Sequence, residues 1–349
     1  MRRATAFAPG RVNLIGEHTD YNDGLSLPFA IALGVAVTAT PLPGRTIEAH
    51  ALDLGERDSF ERTEPGDPQA LPPGWRRFVR GAVAELARLR VRPPACRLEI
   101  SGTLPRDAGL SSSAALSVAL CMALTHLSGD PRGPAGLELA RLCSRIENRW
   151  IGARTGLLDQ LASIHGREGC AVRIDFRVPE LTTVPLDLGQ HRLAVLPSGA
   201  ERRHASSGYN ERRDECARAR ELLGVESLRD AETVDWEALP EPFRRRVRHV
   251  VTENARVDAM VAALRSGDLD EAGLLLDASH RSLRDDFEAS VPAVERTRER
   301  WRSAGALGAR LIGGGFGGSV LALLPPGRAL PPGALPVEPS GAARILPGT

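Results

Sequence analysis

Lysine is absent from this chain of 349 residues, so all 45 of its basic residues are arginine. A Walker-type phosphate loop needs a lysine at the β- and γ-phosphates of its nucleotide, and a protein kinase needs one on a strand. The chain therefore cannot use either of these two nucleotide-binding arrangements. If it binds a phosphate, then backbone N–H groups, serine hydroxyls, Mg²⁺ and arginine must hold that phosphate.

The composition predicts a globular protein without a polyanionic partner. The formal net charge is only +1 and 4% of the residues are aromatic, which argues against binding to nucleic acid or to an anionic membrane surface. The five cysteines are scattered without a Cys-x-x-Cys pair, as is typical of reduced thiols. Because no apolar run is long enough to cross a bilayer, we expect a cytoplasmic protein with no membrane partner. We also expect a monomer.

Residues 103–118, TLPRDAGLSSSAALSV, place a glycine and three serines just before a run of small and apolar residues. The run from Ser112 to Leu127 predicts a helix of about four turns. The first turn of such a helix exposes unpaired N–H groups and the positive end of its dipole, and Gly109 allows a close approach to an anion. Two interpretations stay open from this pattern alone: a phosphate cradle, or serines that only cap the helix.

The segment GRVNLIGEHTDYNDG, residues 10–24, concentrates charged and polar side chains among glycines. Glu17, His18 and Asp20 suit the recognition of neighbouring hydroxyl groups, because ionised acceptors form strong hydrogen bonds with O–H donors. A solvated surface turn is the alternative. A metal site is a weaker alternative, since the segment lacks a second spaced histidine.

The periodicity of the apolar residues indicates two α+β lobes of comparable size, which we place at residues 1–180 and 181–349. Helices are predicted at 74–89 and 135–152 in the first lobe, and further helices follow between about residues 210 and 302 in the second. The segment GGGFGG, residues 313–318, fits Gly-x-Gly-x-x-Gly, but a short strand follows it, which excludes a dinucleotide-binding fold. We expect a tight glycine turn close to the active site; a purely structural hairpin is the alternative.

Several segments together resemble one enzyme family across almost the whole chain. GRVNLIGEHTDYN is similar to the galactokinase signature, and AGLSSSAAL resembles the phosphate-binding motif of the GHMP kinase superfamily, to which galactokinases belong. Further segments follow in the family's order: TGLLDQLAS (155–163), SSGYNERRDEC (206–216), TENARV (252–257), SHRSLRDDFEAS (279–290) and GARLIGGGFGG (308–318). The resemblance implies the α+β, two-lobed GHMP kinase fold, with the active site in the cleft between the lobes.

The resemblance also implies a reaction, the phosphorylation of galactose at its anomeric hydroxyl with ATP and Mg²⁺. Asp159 would be the base, and Arg11 would lie near it and near the transferring phosphate, keeping Asp159 ionised. The residues implied for galactose binding are Glu17, His18, Thr19, Asp20, Gly156 and Tyr209. Those implied for binding the phosphates of ATP are Asp107, Ala108, Gly109, Leu110, Ser111, Ser112 and Ser113. The implied Mg²⁺ ligands are Ser113 and Glu147.

Three positions depart from the family's pattern. Asp107 stands where glycine is usual and would repel a triphosphate if it pointed inward. Gly208 replaces a common glutamate, and Ser319 replaces a common cysteine. Two alternatives to a galactose kinase are a catalytically weak, sugar-sensing regulator on the same fold and a kinase for a related hexose such as N-acetylgalactosamine. The presence of both Arg11 and Asp159 favours the enzyme.

Overall fold

Three β-sheets organise the residues that the computed structural model describes, which are 3–105, 108–130, 133–200 and 205–347. The strands are β1 (Ala4–Asn13), β2 (Leu25–Ser26), β3 (Pro28–Pro41), β4 (Thr46–Ala51), β5 (Glu56–Glu61), β6 (Cys96–Gly102), β7 (Cys170–Asp175), β8 (Glu180–Pro185), β9 (Arg192–Pro197), β10 (Gly308–Ile312), β11 (Ser319–Leu324), β12 (Leu335–Val337) and β13 (Arg344–Leu346). The sheet orders are β13–β1–β3–β6–β4–β5, β10–β11–β9–β12 and β2–β7–β8.

Eight α-helices in the described ranges pack around these sheets. They are α1 (Trp75–Arg88), α2 (Ser112–Ser128), α3 (Gly136–Ile146), α4 (Leu158–His165), α5 (Ala205–Leu223), α6 (Phe243–Ser266), α7 (Leu269–Asp285) and α8 (Pro292–Ser303). The helix predicted at 135–152 is α3 extended by a π-helical turn over Glu147–Ile151, and Gly152 ends it in a left-handed conformation. In the described part of the chain, no helix has both the length and the hydropathy needed to cross a membrane.

Helix α2 is apolar on all sides, and it is buried among the elements formed by the first half of the chain. It packs against β1 and β3 of the six-stranded sheet and also against α1 and α3. Its residues from Ala114 to Cys121 are buried, and most of these side chains belong to one large core cluster with the sheet. Burial of apolar surface contributes about 25 cal/mol per Å², so the helix is held firmly. The loop that precedes α2 is therefore anchored at a defined place beside β1.

A second core cluster joins the two halves of the chain. It contains Val12 from β1, Val257 and Met260 from α6, and Leu321 from β11. The last strand, β13, returns to pair with β1, and β8 begins at residue 180 and pairs with β7. The α+β fold class predicted from the sequence is confirmed, whereas the division between residues 180 and 181 stays a prediction.

Candidate active site

A cavity of about 390 Å³ lies where the end of β1, the loop before α2 and the loop between β10 and β11 meet. Residues from both predicted lobes form its walls. The predicted site residues in these walls are Arg11, Glu17, His18, Asp20, Ala108, Gly109, Leu110, Ser111, Ser112, Ser113, Gly156, Asp159 and Tyr209. Thr19 and Glu147 do not line the cavity, and Asp107 lies outside the described residues.

A bulge in β1 sets the position of Arg11. The pairing of β1 with β3 shifts its register between Pro9 and Arg11, and such a bulge re-aims the side chains next to it. Gly10 lies against the loop before α2, where an added Cβ would be 2.5 Å from Leu110 O. Arg11 N also donates to Leu110 O at 3.2 Å. Glycine at position 10 therefore allows β1 to contact this loop at the point where Arg11 enters the cavity wall.

Arg11 and Asp159, the predicted catalytic pair, form a close ion pair. Arg11 Nε donates to Asp159 Oδ1 at 2.8 Å, and Arg11 Nη2 lies 2.7 Å from the same oxygen. Arg11 Nη1 donates to Gly109 O at 2.8 Å, and the Ser111 hydroxyl donates to Asp159 Oδ2. The Arg11 side chain is 6% exposed and the Asp159 side chain is 26% exposed. The carboxylate is therefore the more accessible member of the pair.

The loop before α2 has the backbone of an anion site. Gly109 and Ser111 are both left-handed, with φ values of 71° and 60°. Ser111 immediately precedes the first turn of α2, but its side chain does not cap the helix. The N-terminus of α2 thus offers N–H groups and the positive end of a dipole to an anion. Of the two interpretations of the serine run, this geometry favours the phosphate cradle over a simple cap.

The glycine loop, residues 313–318 between β10 and β11, contacts the loop before α2. Ser319 Oγ donates to Ala108 O at 2.6 Å. A Cβ added to Gly109 would lie 3.7 Å from the Cα of Gly318, so the two backbones are close neighbours. Ser319, which departs from the family's pattern, therefore links the two loops through its hydroxyl.

Asp20 lies against Gly156, in the segment that also carries Asp159. A Cβ added to Gly156 would be 2.0 Å from Asp20 Oδ2, so only glycine leaves room for this carboxyl group. Burial, together with the charge of Asp159, raises the pKa of Asp20 to about 6. Asp20 therefore changes its protonation state at mildly acidic pH, far above the range of an ordinary aspartate.

Glu17 and His18 are buried beside the glycine loop. Glu17 Oε1 accepts a hydrogen bond from Gly313 N at 2.8 Å and lies 3.5 Å from Arg310 Nη2. Burial raises the pKa of Glu17, whereas burial holds the pKa of His18 well below its usual range. His18 is therefore a neutral imidazole at neutral pH, with Nδ1 2.8 Å from Tyr21 Oη. A neutral imidazole has one donor and one acceptor nitrogen.

Tyr209, on α5, contributes to the cavity from the second half of the chain. Its ring centroid lies 5.1 Å from that of His18 and 5.7 Å from that of Tyr21. Burial raises the pKa of the Tyr209 hydroxyl well above its usual value, so this hydroxyl stays protonated. Residues 313–315 of the glycine loop also line the cavity. The predicted glycine turn therefore belongs to the site and is more than a structural hairpin.

Thr19, predicted to bind the sugar, is buried inside the signature loop, residues 16–24. Its hydroxyl contacts Gly16 O at 2.9 Å and Leu25 O at 2.8 Å, and it lies 3.0 Å from Ser26 Oγ. These hydrogen bonds hold the loop and the strand after it together. Thr19 stabilises the loop's shape, and a contact between its side chain and a sugar finds no support in this geometry.

Glu147, predicted to bind Mg²⁺, is buried beside the cavity wall. Its Oε2 accepts hydrogen bonds from Thr155 Oγ1 at 2.7 Å and from Gln160 Nε2 at 3.0 Å. Its Oε1 has no hydrogen-bond partner among the described residues. Burial raises the pKa of Glu147, and the nearby Ser113 hydroxyl opposes that rise. A buried carboxylate oxygen without a partner, close to a serine hydroxyl, fits the hard oxygen ligands that Mg²⁺ prefers.

Two polar residues of α6 hold the signature loop and the strand after it, although the sequence did not single them out. Glu253 Oε1 accepts from Gly16 N at 3.0 Å, and Asn254 Oδ1 accepts from Leu25 N at 2.9 Å. Burial opposes the charge of Glu253, but the adjacent Arg256 and other positive groups lower the pKa of Glu253 to about 2. The only signal in the sequence was the matched segment TENARV, which contains all three of these α6 residues.

His249 and Arg310 are further buried supports that sequence reasoning missed. His249 Nε2 lies 3.1 Å from Glu17 O. Arg310 is fully buried, and its Nη1 donates to Asn13 O and to Leu14 O at 3.0 Å each. A charged residue inside the apolar strand β10 was the available signal for Arg310, whereas no spacing or motif marks His249.

Three family models match the chain in the order of these elements. The galactokinase galactose-binding signature matches residues 2–41, the N-terminal domain of GHMP kinases matches residues 77–167, and the C-terminal domain of GHMP kinases matches residues 260–330. The first match includes the signature loop, the second includes the loop before α2 and Asp159, and the third includes the glycine loop. The GHMP kinase fold predicted from the sequence is thus confirmed.

Curated galactokinases are similar to the chain over most of its length. That of Mycobacterium bovis is 42% identical over 332 residues, which cover 92% of this chain and 89% of the relative. That of Streptomyces coelicolor is 39% identical over 325 residues, which cover 91% of this chain and 83% of the relative.

Solved structures agree with these sequence matches. The crystal structure of Lactococcus lactis galactokinase complexed with galactose has a TM-score of 0.87 at 29% identity, and the match covers 99% of this chain and 95% of that chain. Methanococcus jannaschii mevalonate kinase, at 17% identity and a TM-score of 0.69 over 97% of this chain and 98% of its own, shares the fold.

Proposed function

The chain belongs to the galactokinase family and is a kinase that phosphorylates galactose; we propose that Arg11 and Asp159 carry out the transfer in the cavity described above. One observation carries this assignment. Asp159 Oδ1 lies 2.7 Å from Arg11 Nη2, and the pair lines the same cavity as residues of the signature loop and of the loop before α2. A carboxylate suits proton acceptance from a hydroxyl, and a guanidinium suits stabilisation of charge that develops on phosphoryl oxygens.

In the proposed reaction, the anomeric hydroxyl of galactose attacks the terminal phosphorus of ATP, and Asp159 accepts the proton of that hydroxyl. The transition state of phosphoryl transfer is loose, so orientation of the attacking oxygen matters at least as much as the basicity of Asp159. Arg11 and Ser111 each donate to one carboxylate oxygen and thereby fix the carboxylate in the wall. ADP leaves, and the phosphate remains on the anomeric oxygen.

The triphosphate of ATP binds at the N-terminus of α2 in this proposal. The left-handed Gly109 and Ser111 bring the backbone close to the anion, and the helix dipole favours negative charge there. The chain has no lysine, and Arg11 is the one arginine among the described residues that line the cavity, so it would supply positive charge to the transferring phosphoryl group. The contact between Arg11 Nη1 and Gly109 O ties that charge to the loop.

Ser113 and Glu147 would hold Mg²⁺ together with phosphate oxygens of ATP. When bound, the ion neutralises charge on the phosphates that would otherwise repel the attacking oxygen. Thr155 and Gln160 orient the Glu147 carboxylate and leave its Oε1 free of partners among the described residues. Within those residues, no three His, Cys, Asp or Glu side chains cluster as a complete metal site, so phosphate would supply further ligands.

Galactose binds against Glu17, His18, Asp20 and Tyr209 in this proposal. The four side chains present the protonated hydroxyl of Tyr209 and the neutral imidazole of His18 next to two carboxyl groups, and sugar hydroxyls need such a mixture of donors and acceptors. A catalytically weak, sugar-sensing regulator has no observation in its favour, since the Arg11–Asp159 pair is complete.

Steady-state kinetics with a panel of sugars tests the proposed function. The purified enzyme is given Mg-ATP with galactose, glucose or N-acetylgalactosamine, and ADP release is followed in a coupled assay. We expect the highest kcat/KM with galactose, and a product identified as the 1-phosphate by ³¹P NMR. Tight binding of galactose without ADP release would instead point to a regulator, and faster turnover of N-acetylgalactosamine would change the substrate.

A further inference from the structure

Helix α5 and the glycine loop meet beside the cavity through two glycines and two aromatic rings. A Cβ added to Gly208 would lie 2.8 Å from Cε1 and Cζ of Phe316, so this ring rests on the bare backbone of α5. A Cβ added to Gly314 would lie 2.9 Å from Cδ2 of Tyr209, so the second ring rests on the bare backbone of the glycine loop. We call these four residues, Gly208, Tyr209, Gly314 and Phe316, the interlock.

The backbone of Phe316 is held by its neighbours. The Phe316 N–H donates to Ala289 O at 2.7 Å, and the Phe316 φ of 58° is uncommon for a residue other than glycine. The neighbouring Gly315 is also confined, since an added Cβ would lie 2.7 Å from the Cβ of Ala289. The guanidinium of Arg212 lies 5.9 Å from the ring centroid. The backbone that carries the ring is therefore held, and the ring seats Gly208 near the start of α5.

The interlock positions two parts of the proposed sugar site. Tyr209 lines the cavity, with its ring centroid 5.1 Å from that of His18. On the other side of the contact, Gly313 N donates to Glu17 Oε1 at 2.8 Å. If α5 shifted away from the glycine loop, Tyr209 would therefore move relative to both His18 and Glu17. No residue of the interlock belongs to the Arg11–Asp159 pair or to the N-terminus of α2.

We propose that Gly208 and Phe316 are positioning residues that set the affinity for the sugar without touching it, an inference that rests on the proposed function of the cavity. Phe316 provides the surface, and Gly208 permits the close approach. Together they determine how far Tyr209 reaches toward the signature loop. The absence of a side chain at position 208 lets α5 lie directly on the ring.

Three variants and one control test this role: Gly208→Ala, Phe316→Leu, the double variant, and Leu222→Ala, whose exposed side chain lies near the other end of α5. KM is measured separately for ATP and for the sugar that the unmodified enzyme phosphorylates fastest. We expect Gly208→Ala to raise the KM for the sugar about tenfold and to leave the KM for ATP within about twofold of its original value. The reason is that a displaced Tyr209 weakens the binding of the sugar that it contacts and not the binding of ATP. Leu222→Ala should change neither KM.

The double variant distinguishes positioning from a general structural defect. Leucine at position 316 leaves room for the methyl group that Gly208→Ala introduces, so the double variant should regain most of the sugar affinity that Gly208→Ala loses. Equal rises in both KM values, or a double variant as impaired as Gly208→Ala, would overturn the proposal. If the enzyme phosphorylates another sugar faster than galactose, the proposed function is contradicted. The role of the interlock is still decided in that case, by whether Gly208→Ala raises the KM for the sugar more than the KM for ATP.

Discussion

The two ends of the cavity that we propose for the phosphates and for the sugar, called here the phosphate end and the sugar end, are built in different ways. At the phosphate end, one short stretch of chain, residues 108–113, supplies the glycine, the serine hydroxyls and the start of a helix. At the sugar end, Glu17 and Asp20 also belong to one loop, but distant elements determine the shape of that loop. Glu253 of α6 holds Gly16 N, and Gly313 of the glycine loop holds the carboxylate of Glu17.

This difference follows from the two kinds of ligand. Phosphate oxygens are recognised by N–H groups and by a dipole that every helix start exposes, so a local stretch of sequence is sufficient. Sugar hydroxyls need directional donors and acceptors, and buried polar groups keep their positions only when their neighbours satisfy them. Variants at the supports of each end should therefore separate effects on the nucleotide from effects on the sugar.

Arg11 joins Asp159 to the loop before α2, so its loss should have a large effect on kcat. Arg11→Ala removes the hydrogen bonds to Asp159 Oδ1 and Gly109 O, and we expect kcat to fall by about 10³-fold. Arg11→Lys is the matched control, because it keeps the charge but cannot reproduce the fork of donors. Its kcat should lie between those of Arg11→Ala and the unmodified enzyme. Full activity of Arg11→Lys in the same coupled assay would show that the fork is unimportant.

Glu147→Gln should affect the phosphate end alone. The substitution removes the negative charge at Oε1, so we expect the Mg²⁺ concentration for half-maximal activity to rise by about tenfold. A Mg²⁺ titration at saturating galactose measures this effect. Glu138→Gln, an exposed position on α3, is the control and should leave the titration unchanged. An unaltered Mg²⁺ requirement in Glu147→Gln would remove this residue from the proposed ligands.

Glu253→Gln should weaken ligand binding at the sugar end and leave nucleotide binding unchanged. The uncharged amide weakens the support of Gly16 N and leaves the charge of Arg256 without its buried partner, so we expect the free energy of unfolding to fall by about 2 kcal/mol. Calorimetry should also show a several-fold weaker affinity for galactose. Glu299→Gln, in an exposed ion pair on α8, is the control. A change in the ATP KM with an unchanged galactose affinity would contradict the separation of the two ends.

The affinity for galactose should depend on pH through Asp20. The pKa of Asp20 is raised to about 6, so its carboxyl group is neutral below that pH and is a weaker acceptor for sugar hydroxyls. We expect the dissociation constant for galactose, measured without ATP, to rise by up to about tenfold between pH 7 and pH 5. Asp20→Asn should bind more weakly at pH 7 and lose this dependence. A dissociation constant that stays flat over the range in the unmodified enzyme would contradict the role of the carboxylate.

The phosphate end could be predicted from the sequence because its information is local. The helix from Ser112 and the glycine that precedes it follow from turn chemistry and apolar periodicity. The use of the Ser111 side chain could not be predicted in the same way. Its hydroxyl donates to Asp159 instead of capping α2, and that choice depends on a residue 48 positions away.

The sugar end was predictable only in part. The resemblance to galactokinases identified Glu17, His18 and Asp20, and the structure brings them to one cavity. Whether the Thr19 hydroxyl faces the cavity or the loop depends on the folded positions of neighbouring carbonyl groups, which no sequence pattern specifies. The contact between Glu253 and Gly16 joins residues 237 positions apart and likewise follows only from the packing of α6.

In the proposed mechanism, Asp159 accepts the proton of a hydroxyl held beside the terminal phosphate of ATP. Asp159→Asn keeps the size of the side chain but removes the charge and the proton acceptor. Rapid-quench measurement of a single turnover, with galactose and Mg-ATP saturating, tests this claim most directly. We expect the rate of phosphoryl transfer to fall by about 10²- to 10⁴-fold, while the dissociation constant for galactose changes by less than about threefold. Transfer at nearly the unmodified rate would contradict the assignment of Asp159 as the base.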